Sequence, residues 1–430
     1  MELYYTFSLL IVLSALFSYI NSRFLKTPSA IGIMLLSIIA SIALVAIGRT
    51  YPDYELPFSN LIASVNFPTL LLEVMINFLL FAGAIHVSLH DLRKQRIPIV
   101  IFSTLSVILS IALVGALMHA VFLFLEMDVP LIECLLFGAL ISPTDPLAVT
   151  AILRKAGIRK PIEIRIAGES LFNDGVSVLA FAILLQLAQG NGANITFSQV
   201  AGLLVQEAGG GLFVGFLLGY IGSLCIKGIN DYKVTVLITV AIVMGGYLIT
   251  RYLQISSPLT MAAAGLVIGN YGKAKAMSAS DKDYLNKFWE LIDEILSAML
   301  FLIIGFELLL IPDLQQYWLI GCIGIVVVLI ARFFSIWLPI RMVPNIGRFD
   351  KTTIAILVWG GLRGGVSVAL ALTLDQNLHQ SLFLSITYYI VVFSIIVQGL
   401  TVGQLIKFQR PSRRVVALAT KSDSHRSKKT

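Results

Sequence analysis

The sequence predicts an all-α protein that spans a membrane many times, and three observations lead there. Of its 430 residues 57% are hydrophobic and only 13% are charged, about half the charged fraction of a soluble domain. The apolar residues come in runs of about 18 or more, each long enough to cross a hydrocarbon core as a helix. Between these runs the basic residues collect in alternate connections.

Polar breaks divide the runs into thirteen spans, near residues 3–21, 28–48, 68–88, 97–124, 131–153, 166–189, 198–226, 233–250, 257–271, 289–310, 317–340, 352–374 and 382–406. The first, within MELYYTFSLLIVLSALFSYINSRF, lacks a basic leader and a small-residue cleavage pattern, so it reads as a retained helix. Spans two to four are set off by SRFLK and DLRKQR. Span five is interrupted by Ser142-Pro143-Thr144-Asp145-Pro146, and span six carries a dense polar strip. KGINDYK and YGKAKAMSASDKDYLNK delimit spans seven to nine. Acids Glu207, Asp293, Glu294 and Glu307 lie near or within spans seven and ten, where interface or funnel positions accommodate them. Arg332 falls inside span eleven, and span twelve is interrupted by Gly360-Gly361-Leu362-Arg363-Gly364-Gly365. Span thirteen completes a single transmembrane domain over 1–410, followed by a short basic tail, 411–430, expected to be disordered.

The net charge of +7 raises nucleic acid as a partner, and the placement of the charges removes it. With the N-terminus outside, 27 of the 31 Lys and Arg lie in inner connections or the tail, and only Arg49 and Arg251 lie outside. The positive-inside rule therefore puts the N-terminus outside and the C-terminus in the cytoplasm. Cys134, Cys225 and Cys322 are far apart in apolar stretches, giving neither a metal spacing nor a disulfide framework.

Two helix breaks seven spans apart indicate inverted six-helix repeats, with a site where the broken helices meet. Irregular backbone at that depth survives only inside protein or beside a wet cavity. Span six reads Gly168-Glu169-Ser170-Leu171-Phe172-Asn173-Asp174-Gly175-Val176-Ser177. Four-residue spacing puts Glu169, Asn173 and Ser177 on one stripe and Ser170 and Asp174 on its neighbour. Such a strip offers oxygen ligands to a hard cation. A buried carboxylate holds either a proton or a metal ion, so Asp174 is the candidate for exchange of one against the other. Thr144 offers the ion a carbonyl or a hydroxyl, and Asp145 suits the positive end of a half-helix, a supporting role favoured over direct ligation of the ion. Glu169 needs a cationic partner, and both Arg332 and Arg363 are available; Arg363 alternatively neutralises half-helix ends. His86 and His119 stand alone near span ends and are discounted as pH sensors.

The strings ISPTDPLAV, GESLFNDGVSV, ARFFSIW and WGGLRGGVSVALAL, in that order, resemble the monovalent cation:proton antiporters of the bacterial NhaP type, relatives of animal sodium/hydrogen exchangers. The resemblance covers essentially the whole chain. It implies a homodimer in a bacterial-type plasma membrane, each protomer having a dimerisation scaffold and a six-helix ion-translocating bundle, interleaved in sequence. It implies exchange of Na+ or Li+, or K+, for H+, with no cofactor beyond the transported ions. By the same resemblance Asp174 holds ion and proton, Thr144 and Ser170 coordinate the cation, and Glu169 and Asn173 pair with Arg332. Asn173 before the aspartate implies electroneutral, one-for-one exchange. The chain departs from the family where relatives read LPPLLFE near the end of span three. Here Leu79-Leu80-Phe81-Ala82-Gly83-Ala84 stands instead; Glu73, two turns earlier, either substitutes or is a structural acid that snorkels outward or faces the bundle.

An enzyme is not expected: an intramembrane aspartyl protease using Asp145 and Asp174 lacks its Gly-x-Gly-Asp context. A cation channel lacks a TVGYG-type filter, and an ATP-driven pump lacks GxxxxGK[ST]. A sodium-coupled carrier of an organic acid, with arginine as anion hook, remains the alternative.

Overall fold

The computed structural model describes residues 2–48, 66–145, 158, 160–191, 202–229, 231–309, 311, 314–343 and 349–408. Among these, the regular structure is helical throughout and no strand occurs. The main helices are α1 (Glu2–Ile20), α2 (Ser29–Gly48), α3 (Phe67–Ile85), α4 (Arg96–Phe124), α5 (Leu131–Ile141), α6 (Lys160–Gln186) and α7 (Gly202–Ile226). They continue with α8 (Tyr232–Leu253), α9 (Ser257–Val267), α10 (Ala279–Glu307), α11 (Trp318–Met342), α12 (Lys351–Trp359), α13 (Gly365–Leu372) and α14 (Gln380–Leu405).

Nine stretches among the described residues are long and apolar enough to cross a membrane. The remaining four predicted spans are helical but fall short of that measure for physical reasons. The helix α5 stops before Pro143, α9 is only 11 residues long, α10 carries acids and lysines in its first half, and α12 and α13 are two halves of one interrupted span. The downstream half of span five, Arg49 and the tail 411–430 lie outside the described residues.

Local chemistry sets where the helices begin. Side-chain oxygens of Ser88, Asp231, Ser278 and Asp350 accept from main-chain amides two or three residues on, satisfying donors that a helix start leaves free. At the face carrying the basic connections Lys160 Nζ lies 3.3 Å from Asp91. That contact holds the Asp91 carboxyl below its usual range, and it ties the start of α6 to the segment before α4. Outward-facing side chains are large and apolar, including Phe124, Phe213, Phe216, Leu237, Leu248 and Tyr252. In water such a surface is an aggregation hazard; in hydrocarbon it is the matching one.

Two buried apolar clusters lie inside. One joins residues of α1–α6 and α10–α14; the other joins residues of α3, α4 and α6–α10. The helices α7 and α9 approach through Gly211, Gly215 and Gly219, while Gly222 faces Ile242 of α8. A Cβ on Gly215 would collide with the Thr260 carbonyl oxygen and lie 2.9 Å from Thr260 Cα. Close approach of backbones is how small residues join helices in lipid. Gly215→Ala is therefore expected to cost about 1–3 kcal/mol, read as a lower thermal midpoint of the purified protein in detergent. Gly245→Ala, where nothing lies within 4 Å of the added carbon, serves as control and leaves the midpoint in place.

Candidate functional site

The two interruptions meet. Asp145 N–H donates to the Leu362 carbonyl at 2.7 Å, a main-chain link between the break after α5 and the break between α12 and α13. Contact is close enough to require glycine: a Cβ on Gly364 would sit 2.9 Å from Asp145 Cβ and 3.2 Å from its Oδ2. The Asp145 carboxylate therefore lies against Gly364, the residue capping the N-terminus of α13, where a negative charge opposes the positive end of the helix dipole.

Arg363 does the converse for α5. It is 2% exposed; its guanidinium donates to the Ser142 carbonyl and, at 3.3 Å, to the Pro143 carbonyl. These are acceptors left without intrahelical donors where α5 ends before proline. Ser394 Oγ accepts from Arg363 N–H at 2.9 Å and donates to Gln398 at 2.7 Å, so α14 fixes the arginine's backbone.

The polar strip of α6 faces this crossing. On its first stripe Glu169 accepts from Arg332 at 2.6 Å, both side chains being less than a tenth exposed. The choice left open between the two arginines is thus made by geometry: Arg332 lies beside Glu169, whereas Arg363 faces the end of α5. Arg332 also donates to the Leu357 carbonyl at 3.3 Å and lies across Gly361, where a Cβ would come within 2.7 Å of its Nε. Asn173 is used differently from the shared arginine contact that the resemblance implies. Its amide donates to the Ser142 carbonyl at 3.1 Å and to Thr144 Oγ1 at 3.2 Å, while Ser177 donates to its Oδ1 at 2.9 Å.

On the second stripe Ser170 Oγ donates to the Thr144 carbonyl, and the Thr144 hydroxyl lies 3.5 Å from Ser170 Oγ. One helical turn on, Asp174 is 7% exposed, with Oδ1 buried and without a hydrogen-bond partner. A cavity of about 590 Å3 reaches it, lined also by Thr144, Asp145 and Ser170. The cavity extends to Pro28 and Ser29 at the start of α2, to His86 after α3, and to Asn286, Glu290, Asp293 and Glu294 around the first half of α10. Those ends all adjoin basic connections, so the mouth is on the basic face. Carboxylate, hydroxyl and carbonyl oxygens lining one cavity form a set that suits a hard monovalent cation, and a carboxylate there is equally a proton acceptor.

Glu73 does not replace the acid missing from span three. It is bound to Arg251 at 3.2 Å near the opposite end of α8, and the cavity wall contributed by α3 consists of Leu71, Ile76, Leu79, Leu80, Ala82 and Gly83. The acids on that cavity's other wall belong to α10. Asp293, whose Oδ1 is buried and unpartnered, takes the funnel rather than the interface position, lining the cavity, and Ser394 and Gln398 join the polar set without being singled out by the sequence. His119 hydrogen-bonds the Val129 carbonyl at 3.1 Å, a local contact. Among the described residues no cluster of three His, Cys, Asp or Glu side chains suits a resident metal.

Comparison with known proteins agrees with this architecture. The chain is 43% identical over 405 residues to the Na(+)/H(+) antiporter NhaP of Pseudomonas aeruginosa, covering 92% of this chain and 95% of that protein. It is 31% identical over 379 residues to the Na(+)/H(+) antiporter NhaH of Halobacillus aidingensis, covering 85% and 91% respectively. The fold matches that of the sodium proton antiporter MjNhaP1 from Methanocaldococcus jannaschii with a TM-score of 0.72 at 19% identity, covering 94% of this chain and 99% of that one. Residues 11–408, which hold both helix breaks and the polar strip between them, match the family model described as sodium/hydrogen exchanger, transmembrane; the chain belongs to that family of multi-pass membrane proteins.

Proposed function

We propose that the protein exchanges Na+ or Li+, or K+, for H+ across the plasma membrane, with cation and proton competing for Asp174. One observation carries the reading: a carboxylate at membrane depth, with one oxygen unpartnered, stands at the end of a cavity whose nearest polar groups are the oxygens of Thr144, Asp145 and Ser170. A charge left in that position without a counter-ion is costly. A proton or a cation relieves the cost, and the two exclude each other at one carboxylate. If only the loaded forms reorient, the result is obligatory exchange.

The alternative of an organic-acid carrier needs a free guanidinium. Arg332 is bound to Glu169 and Arg363 to the end of α5, and among the described residues the cavity lining includes no arginine. Both facts favour a small cation over an organic anion.

In this reading residues 1–410 form one exchanger domain. The helices around the crossing, α4–α6 and α11–α14, make up the ion-translocating bundle, the others serve as a scaffold, and two protomers join through the scaffold. The basic connections face the cytoplasm, as does the tail 411–430. The test is dissipation of a pH gradient in everted vesicles on addition of sodium, lithium and potassium in turn. Dissipation by at least one of them is expected; none, in vesicles that contain the folded protein, rejects the proposal.

Asn173 bears on stoichiometry. Its side chain adds no charge beside Asp174, and Glu169 remains neutralised by Arg332, so one carboxylate exchanges one cation for one proton. In proteoliposomes the exchange rate is expected to be the same with and without an imposed membrane voltage. A current, or a rate that follows the voltage, would contradict it.

A further inference from the structure

The helix α10 carries acids on both sides of an apolar constriction. Asn286, Glu290, Asp293, Ser297 and Leu300 line the cavity, at alternating spacings of four and three residues that place them on one face of the helix. Continued at the same spacing, the stripe reaches Ile304 and then Glu307. With a rise of about 1.5 Å per residue, Glu307 lies about 21 Å beyond Asp293 along the axis.

Between the two acids the path is shut. Leu300 and Ile304 are buried against Gly365 at the start of α13, where a Cβ would come within 2.9 Å of Ile304 Cδ1 and closer still to Leu300 Cδ1. Beyond this seal Glu307 is 3% exposed, with neither a hydrogen bond nor an ion pair among the described residues. On α14 the Tyr388 hydroxyl is likewise buried without a partner. A carboxyl group held at membrane depth without a counter-charge is costly to keep for packing alone.

The anchoring of α10 differs on its two sides. Ser41 donates to the Gly305 carbonyl at 2.9 Å, Ser37 to the Phe301 carbonyl at 3.4 Å, and the rings of Phe17 and Phe306 are 6.3 Å apart. These hold α10 to α1 and α2. Its contacts with α13 are the apolar ones at Gly365, which have no hydrogen bonds to break.

We propose that Glu307 is the carboxylate that receives the cation from the outer face. It rests on the antiport reading above, in which the helices around the crossing shift along α10. When they do, Gly365 leaves Leu300 and Ile304, the inner cavity closes, and Glu307 is uncovered on the same stripe as Asp293. The helix α10 thus presents one acid to each face, Asp293 to the inner and Glu307 to the outer, while Asp174 passes between them.

The half-saturating sodium concentration, measured in right-side-out and in everted vesicles, tests this. It is a concentration, so it does not depend on how much protein has folded. Glu307→Gln is expected to raise the value for the outer face about tenfold, as suits the loss of one nearby charge, and to leave the inner-face value unchanged. Asp293→Asn is expected to do the reverse. Equal shifts on both faces, or none, in the Glu307→Gln protein would overturn the assignment. Should that variant exchange nothing, Glu307→Asp decides: recovery of outer-face uptake upholds it, and continued loss overturns it. Absence of exchange in the unmodified protein would instead reject the antiport reading itself.

Discussion

Asp174→Ala is expected to abolish exchange, leaving only the ion leak of vesicles without the protein. The side chain is the one carboxylate of α6 that reaches the cavity, because Glu169 on the neighbouring stripe is already neutralised by Arg332. Ser170 and Thr144 supply neutral oxygens, which hold a cation but cannot release a proton in exchange for it. Asp174→Asn keeps the shape and removes the charge, so the same loss is expected without loss of fold. Its thermal midpoint in detergent should not fall, since an unpartnered buried oxygen contributes no stability. Sodium-driven collapse of a pH gradient in everted vesicles is the measurement, and exchange retained in either variant would remove Asp174 from the mechanism.

Arg332→Ala is expected to give the largest loss of stability, about 3–5 kcal/mol, because it strands Glu169 as an unpaired buried charge. Glu169→Ala should cost a comparable amount by stranding Arg332, which is 6% exposed and already has its Nε unsatisfied. The double substitution removes both charges and should cost clearly less than the two single changes added together. Thermal unfolding of the purified proteins in detergent reads all three. If Glu169→Ala unfolds where the unmodified protein does, the pair holds nothing together.

Much of this fold is legible in the sequence because lipid allows few solutions. Long apolar runs become helices, and Pro143 or the Gly360 to Gly365 segment breaks them through chemistry confined to a few neighbouring residues. The α6 strip is equally readable: four-residue spacing alone separates the Glu169, Asn173, Ser177 stripe from the Ser170, Asp174 stripe. The partners of Arg332 and Arg363 are not readable, since they depend on how two interrupted helices cross. Either arginine satisfies Glu169 on paper; the Leu362 carbonyl that accepts from Asp145 places Arg363 over the end of α5 and leaves Glu169 to Arg332. The choice between the two readings of Glu73 is hidden for the same reason, because spacing along span three does not reveal that Arg251 lies 3.2 Å away. The close contact of α7 with α9 has a signal in the four-residue recurrence of Gly211, Gly215 and Gly219, although that spacing does not name the helix they meet. Asp293 becomes part of the site only once α10 is seen opposite Asp174 across the cavity.

Competition between proton and cation at one carboxylate is most directly measured as proton release. Sodium added to the purified protein in weakly buffered detergent solution, at a pH where Asp174 is protonated, should release about one proton per protomer. Asp174→Asn should release none. Saturable sodium binding without proton release, or release undiminished in Asp174→Asn, would contradict exchange at this residue.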